Sequence, residues 1–403
     1  MTGNNQKSLV PLILAIDTSC DDTSVAVVLG KVVLANVVAS QTKLHAPYGG
    51  VFPTVAKQAH GVNIKGCVEQ ALKLAQVYPS MLTGVAVTIG PGLAPALEVG
   101  IDFAKQLAKT WQKPIFAANH IEAHLWSVLV KPKKQTLPVK SILSWIYGPQ
   151  KNTVLQQNTV DEFVEINLSW PILGLVLSGG HSLIVKINGL GKYQVLGNTI
   201  DDALGEALDK VGRILNLGYP AGPVLEKLAK KGNSKAYSFP LPMTSAHNFN
   251  LSYSGLKTAA HRLIKQVSAN NQIINPTKNV SNSIETSSPV DLTPTQVCDL
   301  ASSFQDACFH HLIHKVRRVL ETPDSNYSAV WLGGGVASNI LLRKKLRQLL
   351  KNYHLSLKTP YHKRVCADNA AMIGVITSLK LAHLGISPAN QLDRQPNLEL
   401  PTL

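Results

Sequence analysis

The sequence contains few cysteines, and they stand far apart along 403 residues. The count is odd, and no two of them form a CxxC pair. A disulfide framework and a zinc ribbon are therefore not expected, and the pattern favours a reducing, cytoplasmic compartment. The five positions are Cys20, Cys67, Cys298, Cys308 and Cys366.

Long apolar runs are also missing. The run from Leu9 to Ile16 ends at Asp17 and is far shorter than the roughly 20 residues of a membrane span. It lacks a plausible cleavage site for a secretion signal. We interpret it as a buried strand and expect no membrane association.

Charge is sparse but unbalanced. Only 16% of the residues are charged, whereas 45% are hydrophobic, which is typical of a globular chain. Lysine and arginine outnumber aspartate and glutamate by 39 to 24, and the formal charge is +15. Such an excess would attract a polyanion such as nucleic acid, but scattered solvated charges explain it equally well. A local basic patch would distinguish the two.

The length predicts two packed lobes, since a single core rarely grows beyond about 250 to 300 residues. Strand-like and helix-like segments alternate, which is typical of the α/β class. Residues 12–35 read as strand, polar turn, strand, Gly30-Lys31 turn and strand. The same layout returns from residue 172, which indicates two duplicated modules.

We expect a first lobe at residues 1–130, joined by a C-terminal helix at about 367–390. An inserted loop or linker at 131–168 would lead to a second lobe at 169–366. That lobe would carry a low-complexity, disordered insertion at 268–294. The tail beyond 386, including 391–403, has little apolar content, and we expect it to trail over the surface.

Three turns rich in glycine or hydroxyl groups each follow an apolar strand. Exposed backbone N–H groups in such turns can hold phosphate, and small residues allow close approach. Most glycine turns bind nothing, but three in one chain favour nucleotide binding. None matches a P-loop or a dinucleotide motif. The turns lie at Asp17–Thr23, Ser178–His181 and Gly333–Ala337.

His120 and His124 are separated by one helical turn, so both imidazoles could bind a single metal ion. A histidine pair is more often structural. A later loop could add the carboxylate of Asp368 and leave positions open for water or substrate. Glu122 does not directly follow the first histidine, so the HExxH pattern of metallopeptidases is absent. No GxSxG motif or marked base supports a serine or cysteine hydrolase.

The segment from Asp201 to Lys210 reads as the acidic start of a helix, where aspartates often only cap the helix. Asp202, Glu206 and Asp209 would share one face. We expect Asp209 to receive a substrate amine or hydroxyl.

Taken together, these motifs resemble the TsaD family, tRNA N6-adenosine threonylcarbamoyltransferase. The resemblance covers nearly the whole of residues 12–385 apart from the two insertions. It rests on stretches that include IDTSCDDTSVAV, SQTKLHAPYGGVFP, GPGLAPALEVG, NHIEAHL, LVLSGGHS, IDDALGEALDKVGRILNLGYPAGP, FPLPM, SYSGLKT, LGGGVASN and CADNAAMIG. The family implies a two-lobed actin-like, Hsp70-like and sugar-kinase-like fold, built from duplicated ribonuclease-H-like modules with helical insertions.

The resemblance implies transfer of the threonylcarbamoyl group from threonylcarbamoyl-AMP to N6 of the adenosine just 3′ of the anticodon, position 37 of the tRNA. The tRNAs would be those that read codons beginning with adenine, and AMP would be released. The resemblance further implies TsaB-like and TsaE-like partners, a TsaC-type enzyme that supplies the adenylate, and one divalent metal, iron(II) ahead of zinc. ATP or ADP could occupy the same cleft.

Carried over position by position, the metal ligands are His120, His124 and Asp368. Asp21 and Asp22 become candidate catalytic residues that would organise the nucleophile or metal waters. The substrate-binding positions are Val176, Leu177, Ser178, Gly179, Gly180, Asp209, Gly222 and Asn339.

Several residues depart from the family pattern. Aspartate replaces glutamate at 17 and 22, and threonine replaces glutamate at 54. Glu98 stands where an apolar residue is usual, and Ala221 replaces a glycine. The two carboxylate changes keep the charge and shorten the side chain by one methylene. The changes at 54, 98 and 221 bear on loop geometry and turnover more than on the function.

Two other functions remain open at this stage. One is an ATP-dependent phosphotransferase of the sugar-kinase or acetate-kinase kind. The other is a nucleotide-switched assembly protein or scaffold without catalysis.

Overall fold

The computed structural model describes residues 10–133, 163–244, 246–274, 291–323 and 325–401. These residues form two mixed β-sheets with helices packed against them. The strands are β1 Leu12–Asp17, β2 Asp22–Leu29, β3 Val32–Ser40, β4 Gly84–Gly90, β5 Ile115–Asn119, β6 Lys131–Pro132, β7 Ile172–Leu177, β8 Ser182–Gly189, β9 Lys192–Asn198, β10 Ala329–Gly333 and β11 Ser356–Lys358. The longer helices are α1 Pro53–Ala75, α2 Ala94–Trp111, α3 His120–Trp126, α4 Leu204–Ile214, α5 Gly222–Ala229, α6 Ser254–Ile274, α7 Pro294–Leu320, α8 Ile340–Lys351 and α9 Ala370–Leu384.

The two sheets repeat one topology. The first runs β5-β4-β1-β2-β3-β6, and the second runs β11-β10-β7-β8-β9. In each, three consecutive strands pair antiparallel and two later strands join parallel to the first. The predicted duplication is confirmed, and the fold class is the two-lobed actin-like and sugar-kinase-like α/β fold.

The predicted Gly30-Lys31 hairpin turn is also confirmed. Strand β2 ends at Leu29 and β3 begins at Val32. Gly30 has a φ of +57°. A side chain strongly disfavours this conformation, so glycine suits the first turn position.

Helix α9 packs against β1 and β2, although β2 ends at Leu29 and α9 begins only at Ala370. Gly374 makes this possible, because a Cβ there would lie 2.7 Å from the side chain of Val28. One apolar cluster contains residues of both sheets, among them Ile13, Val176 and Trp331. The two sheets therefore share a core.

The first predicted insertion is partly wrong in its bounds. Lys131–Pro132 pairs with β3 as a sixth strand, and Phe163 and Val164 lie in the core of the first sheet. Residues 134–162 lie outside the described part of the chain. The second insertion also starts too early, because residues 268–274 continue α6. Residues 275–290 lie outside the description.

The tail does not trail freely, which corrects the expectation for residues beyond 386. Its backbone pairs with the ends of two strands, since Ala389 N–H donates to Ile115 O and Gln395 N–H donates to Ile89 O. Leu392 and Leu400 are 8% and 4% exposed. Two isolated leucines give no periodic signal, and for this reason the sequence pattern missed the docking.

Within the residues that the structure describes, no helix is both long and apolar enough to cross a membrane.

Candidate active site

The histidine pair and Asp368 come together as the sequence predicted. Helix α3 places both imidazole Nε2 atoms toward Asp368 Oδ1, at 3.5 Å from His120 and 3.1 Å from His124. One ligand atom from each residue lies within 4.8 Å of the others. Two imidazoles and one carboxylate suit a divalent transition metal, so the three residues could hold one ion.

The electrostatics of the three groups favour a cation. Burial lowers the pKa of His124 and favours the neutral imidazole that binds metals. Burial alone would raise the pKa of Asp368, but the two imidazoles outweigh it and hold that pKa well below its usual range. The Asp368 side chain remains 32% exposed, which leaves an open side to the site.

The first turn contacts the ring nitrogen of His120 that does not face Asp368. Ser19 Oγ lies 3.1 Å and Asp17 Oδ2 lies 3.4 Å from His120 Nδ1. Burial alone would lower the pKa of His120, but Asp17 and Asp368 together raise it to about 10. A carboxylate behind a ligating imidazole orients the ring and increases its basicity. The aspartate that replaces the family's glutamate at 17 still reaches this ring.

His124 Nδ1 has no hydrogen-bond partner among the described residues, and backbone packing holds the residue on that side. Ser127 Oγ donates to His124 O at 2.7 Å. A Cβ at Gly333 would lie 2.1 Å from the same carbonyl oxygen. The third glycine turn thus allows the second sheet to approach the helix that carries both histidines.

Asn119 begins this helix, and sequence reasoning missed its role. Its Oδ1 accepts from Glu122 N at 3.0 Å, which satisfies one of the free N–H groups at the helix start. An asparagine three residues before a glutamate was the available signal.

Glu122 points away from the candidate metal ligands. Its two oxygens bind Lys380 Nζ at 2.9 Å and the Tyr193 hydroxyl at 2.8 Å. This carboxylate is buried and already paired, so it is not a base for metal-bound water. The structure therefore agrees with the sequence argument against a metallopeptidase.

The second turn presents an open surface. Val176 and Leu177 are buried at the end of β7, and the Ser178 hydroxyl accepts from His181 N. Gly179 and Gly180 are exposed, and a Cβ at either position would meet no atom within 4 Å. A ligand can approach the backbone of these two glycines closely.

The second and third turns meet beside α3. A Cβ at Gly334 would lie 2.3 Å from Leu177 O, so the two strand ends are in backbone contact. The turn at Gly90-Pro91-Gly92 packs on the first turn in a similar way, since Leu93 N–H donates to Ser19 O at 2.8 Å.

Three of the residues expected to bind substrate also make internal contacts. Asp209 Oδ1 accepts from Gly222 N at 2.5 Å, and burial raises the pKa of this carboxyl. Asn339 caps α8 through Leu342 N, and its Nδ2 donates to Gln305 Oε1 at 2.9 Å. Their visible role is to shape the loops around the turns.

The acidic segment before α4 is not the helix cap that the sequence suggested. Helix α4 begins at Leu204, and Asp201 accepts from the backbone of Tyr253 and Ser254 at the start of α6. Asp202 pairs with Lys210 and Lys257. The predicted shared face is also wrong for Asp209, which faces α5.

Asp21 and Asp22 lie in the first turn. The Tyr219 hydroxyl donates to Asp21 Oδ2 at 3.4 Å from the second lobe. Burial raises the pKa of Asp22 to about 6, and Asp22 Oδ1 has no hydrogen-bond partner among the described residues. With this pKa, the Asp22 carboxyl can exchange a proton near neutral pH.

His181 is a site residue that sequence reasoning treated only as the end of a turn. Burial, together with the nearby His120 and His124, lowers its pKa to about 4. It is therefore neutral beside the candidate metal ligands.

The basic residues form at least one local concentration. Helix α8 carries five lysines and arginines between residues 343 and 351 and no acidic residue. A groove of about 280 Å³ between α7 and α8 is lined in part by His310, Arg317 and Lys345. A cleft lined by one sign of charge concentrates counter-ions.

Comparison with known proteins agrees with the geometry. The family model described as "TsaD: tRNA N6-adenosine threonylcarbamoyltransferase" matches residues 32–160 and 154–375. A protein of that name from Microcystis aeruginosa is 37% identical over 368 residues, covering 90% of each chain. Another from Wigglesworthia glossinidia brevipalpis is 37% identical over 370 residues, covering 92% of each.

Solved structures support the fold alone. Full-length HypF in its phosphate- and nucleotide-bound form superposes with a TM-score of 0.51 at 11% identity. The alignment covers 93% of this chain and 56% of that chain, so this chain spans about half of the HypF structure.

Proposed function

The chain belongs to the TsaD family of tRNA N6-adenosine threonylcarbamoyltransferases, and on that premise we propose the reaction that it catalyses. The enzyme transfers the threonylcarbamoyl group from threonylcarbamoyl-AMP to N6 of adenosine 37 in tRNAs that read codons beginning with adenine. AMP is the leaving product. The observation that carries the proposal is the His120, His124 and Asp368 cluster beside the two glycine turns.

The residues of this chain divide the work between binding and proton transfer. The exposed backbone at Gly179 and Gly180 would hold the adenylate, since no side chain there blocks a phosphate or ribose. Holding donor and amine together supplies much of the rate through proximity. The third turn would fix the position of α3 relative to this adenylate through Gly333.

A new C–N bond forms between N6 and the carbamoyl carbon, while the bond from that carbon to the phosphate oxygen breaks. The electron pair of the broken bond leaves with AMP, and N6 releases one proton. Asp22 is suited to accept the proton, because its pKa of about 6 leaves it mostly ionised above neutral pH. Asp21 would help to place Asp22 and the cleft through its contact with Tyr219.

The metal would be held by His120, His124 and Asp368, with Asp17 and Ser19 behind the first imidazole. We propose iron(II), with zinc as the second candidate, since both accept this donor set. When bound, the ion would act as a Lewis acid toward the transferred carbonyl and neutralise charge on the leaving phosphate. ATP or ADP could enter the same cleft through the same turns.

We further propose that the enzyme works in the cytoplasm with TsaB-like and TsaE-like proteins and receives its adenylate from a TsaC-type enzyme. These partners are inferred from the family. The basic α8 and the formal charge of +15 support tRNA as the macromolecular substrate.

A phosphotransferase function is not favoured. The likeness to HypF shows only the fold, whereas the sequence relatives are named as threonylcarbamoyltransferases. A scaffold without catalysis would not require two buried imidazoles directed at one carboxylate.

The decisive experiment is reconstitution with purified metal-loaded protein, threonylcarbamoyl-AMP, the partner proteins and unmodified tRNA. We expect threonylcarbamoyladenosine and AMP in equal amounts, and at least a 100-fold loss in the His120→Ala, His124→Ala double variant. A phosphorylated small molecule formed without tRNA would identify a kinase instead. Equal modification by the double variant would favour the scaffold.

A further inference from the structure

Three large apolar side chains lie exposed within nine residues of one another, in the segment between β3 and α1. Leu44 is 50% exposed, Tyr48 is 57% exposed and Phe52 is 46% exposed. The rings of Tyr48 and Phe52 stack with centroids 5.0 Å apart and planes only 19° from parallel. Exposed apolar side chains that cluster in this way mark a surface for interaction with a partner.

A chain of hydrogen bonds anchors this segment to the rest of the first lobe. Phe52 N–H donates to His45 Nδ1 at 3.3 Å, so the proton of His45 lies on Nε2 and is donated to Gln41 Oε1 at 3.1 Å. Gln41 Nε2 then donates to His60 Nδ1 at 3.2 Å. His60 donates from Nε2 to Cys20 O at 3.0 Å. Each of these hydrogen bonds determines which atom donates in the next one, because an imidazole nitrogen that accepts a hydrogen bond cannot also donate one.

These hydrogen bonds connect Tyr48 and Phe52 to the first turn, Asp17–Thr23. Cys20 directly precedes Asp21 and Asp22, and Thr23 Oγ1 lies 2.8 Å from His60 Nδ1. Burial lowers the pKa of His60, so the imidazole stays neutral and the network keeps one arrangement near neutral pH.

The same segment also reaches the second lobe. Gly49, the residue after Tyr48, accepts a hydrogen bond at its carbonyl oxygen from Arg213 Nη1. Arg213 lies on α4 one turn after Asp209, and its charge partly offsets the burial that raises the pKa of that carboxyl. Tyr48 therefore sits where the first turn of one lobe meets α4 of the other.

We propose that the stacked pair Tyr48–Phe52 is a stacking platform for unpaired bases of an RNA loop that flank the modified adenosine. The inference rests on the proposed function, since it presumes that a tRNA loop enters the cleft. Aromatic faces are how proteins hold splayed single-stranded bases, and they do so without reading a sequence. The basic net charge and neighbouring Arg213 suit the phosphates of such a loop.

The test is steady-state kinetics of the full reconstituted enzyme with unmodified tRNA. The Tyr48→Ala, Phe52→Ala double variant should raise KM for tRNA at least about tenfold, because each lost stacking contact weakens binding about 5- to 150-fold. Its KM for threonylcarbamoyl-AMP should remain within about twofold of wild type. Tyr48→Phe keeps the ring and should behave as wild type.

Leu44→Ala is the matched control, since it removes an exposed apolar side chain of the same segment that has no aromatic face. An equal rise of KM for tRNA in Leu44→Ala would overturn the stacking role. So would an unchanged KM in the double variant, or a loss that added partner protein restores, which would make this a protein-docking surface. Each variant is compared at matched thermal stability and metal content.

A second readout separates this inference from the proposed function. In Tyr48→Trp, indole fluorescence should be quenched by an anticodon stem–loop RNA and not by a blunt RNA duplex of equal length. If the stem–loop RNA quenches Tyr48→Trp but the wild type modifies no tRNA, the proposed function fails and the platform stands. If the wild type modifies tRNA but neither RNA changes the fluorescence, the platform fails alone.

Discussion

Asn119 and Glu399 are 280 residues apart in sequence, yet Asn119 Nδ2 donates to Glu399 O at 2.8 Å. The other end of the same amide caps the helix that carries both histidines, through Glu122 N. Nearby, Gly92 N–H donates to Pro396 O, and Leu400 is buried in the core that both sheets share. The C-terminal tail thus braces the start of the candidate metal-binding helix.

Loss of this brace should weaken metal binding. We expect Asn119→Ala to remove a helix cap, at a cost of about 0.5–2 kcal/mol in unfolding free energy. Because the cap sets the position of His120, metal affinity should fall about 10-fold or more, as for other residues that support metal ligands. Competition with a chromophoric chelator measures the affinity.

Truncation after Asp393 should lower the metal affinity less than Asn119→Ala does. It removes the Glu399 carbonyl that Asn119 binds but leaves Asn119 itself at the start of α3. Asn352→Ala is the matched control, since Asn352 is exposed at the end of α8. If truncation leaves the metal affinity unchanged, the tail does not brace the site.

Gly333 should be intolerant of even one added methyl group. A Cβ there would lie 2.1 Å from His124 O, a backbone atom that cannot move without displacing the imidazole. We expect Gly333→Ala to cost about 1–3 kcal/mol of stability, as overpacking does, and to impair metal binding. Thermal unfolding and metal titration of the purified variant check both.

Gly335→Ala serves as the control two residues further on, because a Cβ there would meet nothing within 4 Å. It should keep the wild-type melting temperature and metal content. Equal behaviour of the two variants would contradict the close approach at Gly333.

Asp22 should make stability depend on pH in a predictable direction. Burial raises the pKa of its folded state to about 6 from the usual 3.8, so the folded protein binds the proton more tightly than the unfolded chain. Stability from this group is fully present below about pH 4, and it is lost as pH rises through 6. Asp22→Asn should therefore stabilise the protein above neutral pH.

Each unit of pKa shift corresponds to about 1.4 kcal/mol, and partial solvent screening reduces the gain to about 1–2 kcal/mol at pH 7.5. The gain should shrink by about half at pH 5. Denaturant unfolding of both proteins at the two pH values measures it. A gain that is constant or larger at pH 5 would show that Asp22 is not held with a raised pKa.

The basic face of α8 should contribute to tRNA affinity through phosphate contacts. Lys344, Arg347 and Lys351 are exposed and make no ion pair with a described carboxylate. We expect their triple alanine variant to bind tRNA more weakly and to reduce the slope of log affinity against log salt by about 1 to 3. Filter binding over a range of salt concentrations measures the slope.

Replacement of Lys65, Lys73 and Lys109 by alanine removes the same charge from the exposed faces of α1 and α2. If this control lowers the slope equally, net charge rather than the α8 face governs binding.

The departures from the family pattern acquire physical explanations only in the folded chain. Glu98, expected to be apolar in the family, binds Lys57 Nζ at 2.8 Å and Arg394 Nη1 of the tail at 2.7 Å. Ala221 is fully buried against Gly212. Thr54 is exposed in the first turn of α1, and no contact in the structure explains it.

The sequence by itself determined the elements and the candidate metal ligands. Apolar runs that end in small or polar turns predict strands, because backbone pairing and burial act over a few residues. The spacing of His120 and His124 on one helix is equally local. Together with the recognised family motifs, these local rules sufficed for the fold class, the duplication and the candidate metal site.

The tertiary structure decided what supports that site. The tail brace, the shift of Asp201 from its own helix to α6, and the internal pairing of Asp209 and Asn339 all join residues from different elements. The hydrogen bonds among His45, Gln41 and His60, which lie behind Tyr48 and Phe52, also join residues from different elements. Such partners follow from how buried polar groups are satisfied in three dimensions, and no periodicity along the chain records that choice.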